Sequence, residues 1–299
     1  MFPRRTCIIA LAAIVAAAIA LPAVTAKAAD DRPDLIIAVN KLPRGLEPAA
    51  DDGNVDVRVT YSIFDTLIRR DFLNPGPGGA AKFIPGLATS WKRISPTTLE
   101  LELRKGVKFH NGEEFTADDV LFTFSEERVR GKDAAIPSGR GYFGNIAKVE
   151  KLDSHKVRFV TKAPDLVLEH RLSSYASWIV SKKEYYAHKA KGEEALKAPK
   201  DSKAKDAPKN WMDIAIREET WTPIGTGPYA FKDWKGDDYV RLVANDSYFM
   251  GRPAAKTVTF KQVPEISARI AGLVSGEFDM IVEIPPDQIP VVEGYKDLN

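Results

Sequence analysis

The sequence predicts an α/β fold from three observations. Leucines alternate with charged residues over 99–104, which is the period-two pattern of a half-buried strand. Thr116 stands where a helix N-cap belongs, and Asp119 follows three residues later, as in a capping box. Residues 265–275 carry apolar side chains at helical spacing and end at Gly276, a residue suited to a helix C-cap. Because strands alternate with helices along the chain, the α/β class follows.

The other elements can be placed in chain order. Strands or extended runs are predicted at 35–39, 99–104, 107–109, 146–149, 156–161, 229–231, 239–243, 258–263 and 278–282, with helices at 55–67, after Thr116 and at 265–275. Turns are predicted at 51–54, 75–79 and Asn111-Gly112. Residues 189–210 hold many lysines and few apolar side chains. We predict an exposed, mobile insertion there rather than an anion or membrane patch, because interspersed acids dilute the charge.

The amino-terminal 28 residues have the features of an export signal. Arg4 and Arg5 precede an apolar run over 8–24, and residues 26–28 form the Ala-x-Ala pattern of a cleavage site. A membrane-spanning anchor is the alternative, but the run is somewhat short for a span of about 20 residues. We therefore predict a cleaved signal over 1–28 and a periplasmic location.

Charge and cysteine content argue against several functional classes. The chain has 43 basic and 41 acidic residues, and removing residues 1–28 leaves 40 basic against 41 acidic. That balance gives no reason to propose nucleic acid as a partner. The single cysteine, Cys7, lies at the start of the apolar run of the signal. We therefore expect the mature chain to have no thiol, disulfide or lipid anchor.

No motif predicts an enzyme, a metal site or a cofactor. Residues 139–144 form G-x-G-x-x-G, but a dinucleotide site needs a strand before it and a helix after it, and the strand-like run 146–149 follows instead. There is no phosphate loop, G-x-S-x-G or H-E-x-x-H sequence. The four histidines are scattered and are predicted to be surface or loop residues: His110, His155, His170 and His188. Asp118 and Asp119 are explained by helix capping rather than by acid–base catalysis.

Residues 84–124 carry the most specific pattern in the chain. They contain P-G-L-A-T-S-W and then L-R-K-G-V-K-F-H-N-G-E-E-F-T-A-D-D-V. This run resembles the signature of the family 5 extracellular solute-binding proteins, the peptide-binding subunits of ABC importers. Shorter resemblances to the same family are F-D-T-L-I at 64–68, P-I-G-T-G-P-Y at 223–229, N-D-S-Y-F at 245–249 and S-G-E-F-D at 275–279. The match is specific for the family, and it marks a scaffold rather than a reaction centre.

The resemblance implies a periplasmic-binding-protein-like fold of type II with an accessory subdomain. By motif order, 29–66 would begin lobe I, 67–179 would form the subdomain, 180–282 would complete lobe I with the insertion at 189–210, and 283–299 would begin a second lobe. Family members are much longer, so we expect the second lobe to be largely missing. Such proteins hold a ligand by closing two lobes over it. We therefore expect this chain alone to bind no peptide with useful affinity, as a non-functional product or one half of a split protein.

The implied function is that of a periplasmic solute-binding component of an ABC transporter. A peptide is the favoured solute, ABC permease subunits are the expected partners, and a monomer is the expected state. A non-peptide solute such as a sugar or a nickel complex is an open alternative. A second alternative is an exported interaction or chaperone-like protein without a transport role. An exported hydrolase would need a nucleophile–base or metal set, which the sequence lacks.

The family also indicates which residues contact the ligand. In its members, the loop after the first strand and the tip of the accessory subdomain face the cleft. The matching residues in this chain are Asp51, Asp52, Gly53, Asn54, Arg140, Tyr142 and Phe143. The family's acidic clamp for a peptide amino terminus would lie on a more distal segment than this chain contains.

Overall fold

The structure is a computed structural model. It describes residues 30–49, 53–74, 76–77, 82–197, 210–212, 214, 222–296 and 298. The predicted signal at 1–28 and the carboxyl-terminal half of the predicted insertion lie outside the described residues. No helix in the described part of the chain combines the length and apolar content that crossing a membrane requires.

The described residues form strands and helices in mixed order, which confirms the α/β class. The strands are β1 (Asp34–Val39), β2 (Ile68–Arg70), β3 (Phe83–Pro85), β4 (Ala88–Ser95), β5 (Thr98–Leu103), β6 (Ile146–Asp153), β7 (Lys156–Thr161), β8 (Tyr229–Lys235), β9 (Tyr239–Ala244), β10 (Thr257–Gln262) and β11 (Met280–Ile281). The helices are α1 (Asn54–Ile63), α2 (Ala117–Thr123), α3 (Gly139–Phe143), α4 (Leu168–Arg171), α5 (Lys182–Lys197), α6 (Ile266–Ser275) and α7 (Ile289–Glu293). A π-helical turn spans Glu126–Arg130, and a 3₁₀ turn spans Pro286–Gln288.

The strands form two main sheets and one two-stranded ribbon. The five-stranded sheet has the order β11-β1-β10-β9-β8, in which β1 runs parallel to both β10 and β11 and the other pairs are antiparallel. The four-stranded sheet is antiparallel with the order β4-β5-β7-β6. Its strands all fall within 67–179, the segment predicted as the subdomain, whereas the five-stranded sheet uses strands on either side of that segment. The domain boundaries themselves stay a prediction.

The signature segment forms its elements through the expected local interactions. Leu99, Leu101 and Leu103 of β5 are all buried, and the intervening acids face outward. This confirms the period-two prediction, because alternate side chains of a strand point to opposite faces. At α2, the Thr116 side chain accepts a hydrogen bond from the backbone while the Asp119 carboxylate accepts one from the Thr116 N–H, so the predicted capping box is present.

The carboxyl-terminal elements also follow the sequence pattern. The β8–β9 hairpin is antiparallel, as predicted, and β10 lies within one residue of its predicted bounds. Helix α6 ends at Gly276, which adopts the left-handed backbone conformation with φ of 78°. Glycine favours this conformation because it has no Cβ, so the predicted C-cap is confirmed.

Helix α1 is shorter than predicted. It ends at Ile63 rather than at residue 67, because Phe64 is extended with φ of −117° and ψ of 153°. The carbonyl oxygen of Ile63 accepts a hydrogen bond from the N–H of Gly227 at 2.9 Å. The turn that contains Gly227 therefore occupies the position that the next helical turn would need.

Four local predictions are corrected by the structure. Residues 107–109 form no strand and contribute only an isolated bridge between Lys108 and Glu114, because the chain folds back at once through a tight loop. The predicted strand at 278–282 shortens to β11. The sequence predicts no helix at 139–144, where the structure contains helix α3. Residues 189–197 of the predicted mobile insertion belong to helix α5. This helix is held by the buried side chains of Tyr185 and His188.

Candidate functional site

A buried ion pair holds residues 47–49, which follow β1. Glu47 and Arg128 are both fully buried at their side chains, and the Arg128 guanidinium donates to the Glu47 carboxylate. Glu47 also accepts a hydrogen bond from the N–H of Ala49 at 2.7 Å, and Arg128 donates to the carbonyl of Thr123 at 3.1 Å. These further hydrogen bonds offset part of the cost of burying the two charges, and Nε of Arg128 has no acceptor among the described residues. Residues 47–49 are thereby joined to the π-helical turn, which follows the signature segment.

The loop leads directly to the first group of predicted ligand contacts. Gly53 is the N-cap of α1, and its carbonyl oxygen accepts from the N–H groups of Asp56 and Val57 at 3.1 Å each. Asn54 is the first residue of the helix and is exposed to solvent. Asp51 and Asp52 lie outside the described residues.

The second group of predicted contacts lies on α3. Arg140 is exposed and Tyr142 is half-buried. Phe143 is fully buried, with its ring 5.0 Å from that of Phe124 in an edge-on arrangement. The structure therefore gives Phe143 a core position, and we do not include it in the proposed binding surface.

The π-helical turn links the two groups. Arg128 reaches the loop before α1, and its neighbour Val129 packs against Gly139 at the start of α3. A Cβ built on Gly139 would lie 2.7 Å from the Cβ of Val129, so this contact has no room for a side chain. One turn therefore contacts both Glu47, upstream of the first group, and Gly139, at the start of the second.

The structure also joins two motifs whose relationship could not be derived from the sequence. Nε2 of His110, in the signature, lies 3.0 Å from the carbonyl oxygen of Gly227. Nδ1 of the same ring accepts a hydrogen bond from the N–H of Gly225 at 3.3 Å. Burial lowers the pKa of His110, although the hydrogen bond to Gly227 opposes this shift. His110 lies in a loop, as predicted, and its ring holds that loop to the turn at 225–227. His188 is buried on helix α5, which corrects the prediction for that histidine.

A second buried network connects the G-T-G turn to two further motifs. The carboxylate of Asp65 accepts hydrogen bonds from the hydroxyl of Thr226 at 3.0 Å, from the hydroxyl of Tyr248 at 2.8 Å and from the guanidinium of Arg69. Burial raises the pKa of Asp65 above its ordinary value, and the three hydrogen-bond partners oppose only part of this rise. The adjacency of F-D-T-L, G-T-G and N-x-x-Y therefore has a physical basis, since each supplies one member of the network.

A cavity of about 430 Å³ opens beside the junction between the signature loop and the turn at 225–227. Its walls include the loop 106–112 together with Thr226, Asn245 and Phe249. The Asn245 side chain is already engaged, because it donates to the carbonyl of Gly227 at 3.0 Å. Arg104 lies over the Phe249 ring at 4.9 Å from its centroid. These groups support the junction, and we assign this cavity no ligand.

The described residues show no side-chain arrangement suited to metal binding or nucleophilic catalysis. Within those ranges, no three His, Cys, Asp or Glu side chains come together in a group that could hold a metal ion. His155 contacts the hydroxyl of Ser154 at 3.0 Å, but the two are chain neighbours in a strand-connecting turn. The expectation that the chain is not an enzyme stays a prediction.

The chain matches a known family over most of its length. A sequence model of the bacterial extracellular solute-binding proteins, family 5 (middle region), matches residues 82–299. The chain therefore belongs to the family 5 extracellular solute-binding proteins.

Individual relatives agree with this assignment. Di/tripeptide-binding protein 1 of Pseudomonas aeruginosa (strain UCBPP-PA14) is 30% identical over 285 residues, which cover 89% of this chain and 48% of the relative. The crystal structure of a dipeptide-binding protein from Pseudoalteromonas sp. SM9913 in complex with Met-Leu superposes with a TM-score of 0.71 at 25% identity, covering 89% of this chain and 50% of that one. The structure of MoaA from A. tumefaciens R10 in complex with mannopinic acid gives a TM-score of 0.67 at 25% identity, covering 84% and 45%.

These structural likenesses confirm the expected periplasmic-binding-protein-like fold. The chain spans about a third to a half of the length of the curated relatives it matches.

Proposed function

We propose that this chain is the solute-binding component of an ABC importer and that its solute is a short peptide. The observation that carries the proposal is the family match over 82–299, together with relatives whose names describe di- and tripeptide binding. Nothing in the described residues offers a rival catalytic arrangement. The proposal places the protein in the periplasm, as the export signal predicts.

The proposed binding surface consists of Gly53 and Asn54 at the start of α1 with Arg140 and Tyr142 on α3. The π-helical turn contacts Glu47, six residues before Gly53, and Gly139 at the start of α3. Proteins that accept many peptides bind the ligand main chain and leave its side chains in wet pockets. Small and polar residues at Gly53 and Asn54 suit main-chain contacts, and the amphipathic ring of Tyr142 suits a variable side chain.

Photo-crosslinking tests this proposal even where affinity is low. We would irradiate the purified chain with Ala-Bpa-Ala, where Bpa is the photoreactive amino acid p-benzoylphenylalanine, and map the adducts by mass spectrometry. Adducts are expected on peptides that contain residues 53–54 or 140–142, and excess Ala-Phe-Ala should compete them away. Arg140→Ala is expected to lower the yield about threefold, which corresponds to a loss of roughly 0.7 kcal/mol.

The control is Lys105→Ala, which removes an exposed positive charge on the loop after β5. It should leave the yield and the adduct positions unchanged. Adducts spread evenly over the surface, or a yield that Ala-Phe-Ala does not reduce, would exclude a peptide site at these segments.

A non-peptide solute is the second candidate, and one relative favours it. The MoaA structure contains mannopinic acid, a conjugate that differs from a peptide in its sugar-derived part. The same crosslinking assay distinguishes the two candidates when mannopinic acid is used as a second competitor. Competition by mannopinic acid without competition by Ala-Phe-Ala would replace the peptide proposal with an opine-type solute.

The transport partner and the location need separate measurements. Affinity capture from periplasmic and membrane extracts should retain ABC permease subunits rather than unfolded client proteins. Amino-terminal sequencing of the exported protein should begin at Ala29. An intact Met1 on the exported protein would contradict the predicted signal cleavage.

A further inference from the structure

A group of aromatic side chains lies at the carboxyl-terminal end of α1. The Tyr61 ring is edge-on to Trp178, with centroids 5.3 Å apart, and edge-on to Phe72, with centroids 6.2 Å apart. Tyr175 extends the group, at 6.3 Å from Trp178. Trp178 is almost completely buried, whereas Phe72 is 68% exposed. The group therefore runs from the core to the surface, and it contains none of the residues predicted to bind the transported solute.

Two hydrogen-bond donors in this group are left without an acceptor. The indole Nε1 of Trp178 and the guanidinium Nε of Arg70 are both buried and have no hydrogen-bond partner among the described residues. A buried donor without an acceptor costs about 1–3 kcal/mol, so a bound group that supplies the acceptor would remove that cost. Because both groups are donors, a ligand that satisfies them must offer an acceptor.

The charge of the two neighbouring arginines defines that acceptor further. Arg69 is neutralised by the buried carboxylate of Asp65. Arg70 takes part in no salt bridge within the part of the chain that the structure describes, although it is half-buried. A half-buried guanidinium without a counter-ion favours an anionic acceptor, and guanidinium geometry suits a carboxylate.

A small cavity lies among these residues. Its volume is about 10 Å³, and its lining includes the paired Asp65 and Arg69 together with Tyr61, Arg70, Phe72, Ser173 and Trp178. A cavity of this volume accommodates about one water-sized atom. It would therefore take one oxygen of a ligand while the rest of the ligand stays outside.

The surface next to the cavity is apolar. Leu73 is 92% exposed, and it follows the exposed Phe72 in the chain. These two side chains could pack against an apolar group of a ligand whose polar end enters the cavity. We propose that this pocket binds a carboxylate that carries an adjacent apolar group, with one carboxylate oxygen between Arg70 and Trp178 and the apolar group against Phe72 and Leu73.

Indole nuclear magnetic resonance tests the proposal directly. N-acetyl-L-phenylalanine would be titrated into the ¹⁵N-labelled full chain, and the Trp178 indole signal would be assigned by its loss in Trp178→Phe. That signal is expected to shift saturably with the acid and not with N-acetyl-L-phenylalaninamide. Arg70→Gln should weaken binding about tenfold, a loss of about 1.4 kcal/mol. Lys105→Gln removes the same charge at an exposed position and should leave the affinity unchanged.

The outcomes separate the proposal from its alternatives. The proposal is overturned if the Trp178 signal does not shift, or if it shifts equally with N-acetyl-L-phenylalanine and its amide. It is also overturned if Arg70→Gln and Lys105→Gln weaken binding equally. If Trp178→Phe fails to fold, the Arg70→Gln and Lys105→Gln titrations by calorimetry decide the question alone. Adding Ac-Asp-Phe-NH₂ identifies the source of the carboxylate: binding supports a side-chain acid, and binding of the free acid alone supports a chain terminus.

Discussion

The imidazole of His110 and the backbone of Gly227 are joined by a hydrogen bond of 3.0 Å, and the other ring nitrogen accepts from Gly225. With Nδ1 as acceptor, Nε2 must carry the proton, so the neutral ring has one defined tautomer. A protonated ring would present a second donor to the N–H of Gly225. The junction therefore depends on the neutral form of the histidine.

The first prediction concerns pH. Burial lowers the pKa of His110 below its ordinary value of 6.5, so the unfolded chain takes up a proton before the folded chain does. The contribution of His110 to stability is complete above about pH 6.5 and is lost as the pH falls toward the folded pKa, at up to about 1.4 kcal/mol per pH unit. Urea unfolding between pH 7.5 and 5.5 should show this slope, and His110→Gln should reduce it.

His188 contributes to the pH dependence of stability that remains in the His110→Gln variant. Burial lowers its pKa as well, so it contributes with the same sign and is still present in the His110→Gln variant. Burial raises the pKa of Asp65 and of Asp119, and these groups act with the opposite sign above pH 3.8. The difference between wild type and variant removes these contributions, and identical slopes in the two proteins would contradict the prediction.

The second prediction concerns the glycines of the G-T-G turn. A Cβ on Gly225 would lie 2.0 Å from the carbonyl oxygen of Ile63, which is backbone and cannot move aside. Gly225→Ala is therefore expected to destabilise the protein by about 3 kcal/mol or more. Gly141→Ala is the matched control, because its Cβ would meet no atom within 4 Å. Chemical denaturation should leave that control within about 1 kcal/mol of wild type.

The third prediction concerns the buried ion pair. Arg128→Met leaves the Glu47 carboxylate buried without its counter-ion and should cost about 3–5 kcal/mol. The double variant Glu47→Gln/Arg128→Met should lose much less than the sum of the single variants, because neither charge is then stranded. The exposed pair Lys197–Glu194 is the control, and Lys197→Met should change stability by less than about 1 kcal/mol. Additive losses at Glu47 and Arg128 would show that the two residues act independently.

The fourth prediction concerns the start of α2. Thr116→Ala removes the acceptor for the N–H of Asp118 and should lower the free energy of unfolding by about 1 kcal/mol. Thr116→Ser keeps the hydroxyl and should recover most of that loss. A serine variant as unstable as the alanine variant would assign the effect to the methyl group of threonine rather than to the cap.

The local elements were predictable where one short-range rule decided the outcome. The β5 strand, the α2 capping box and the Gly276 C-cap each depend on residues within one turn or one strand. Helix α1 was predicted too long, because its end is set by a turn more than 160 residues away. The sequence of 64–67 contains no signal that the N–H of Gly227 will donate a hydrogen bond to the carbonyl oxygen of Ile63.

The candidate site was less predictable for the same reason. The sequence placed Arg140 and Phe143 in one predicted tip, but the helix there turns one outward and the other into the core. The pattern G-x-G-x-x-G gave no indication of a helix, since three glycines disfavour one. The unpartnered donors of Arg70 and Trp178 could not be inferred from sequence, because a missing partner is visible only in three dimensions.

Strand β1 has a consequence for the order in which the molecule folds. It lies between β10 and β11, and the Ile36 N–H reaches the Asp279 carboxylate across 243 residues of chain. Contacts of such separation form slowly, because a long loop must close before they give any stabilisation. The β4–β7 sheet needs only neighbouring segments and can form early. Until residue 281 has joined, β1 presents an unpaired edge, and that interval is when the chain is most exposed to misassociation.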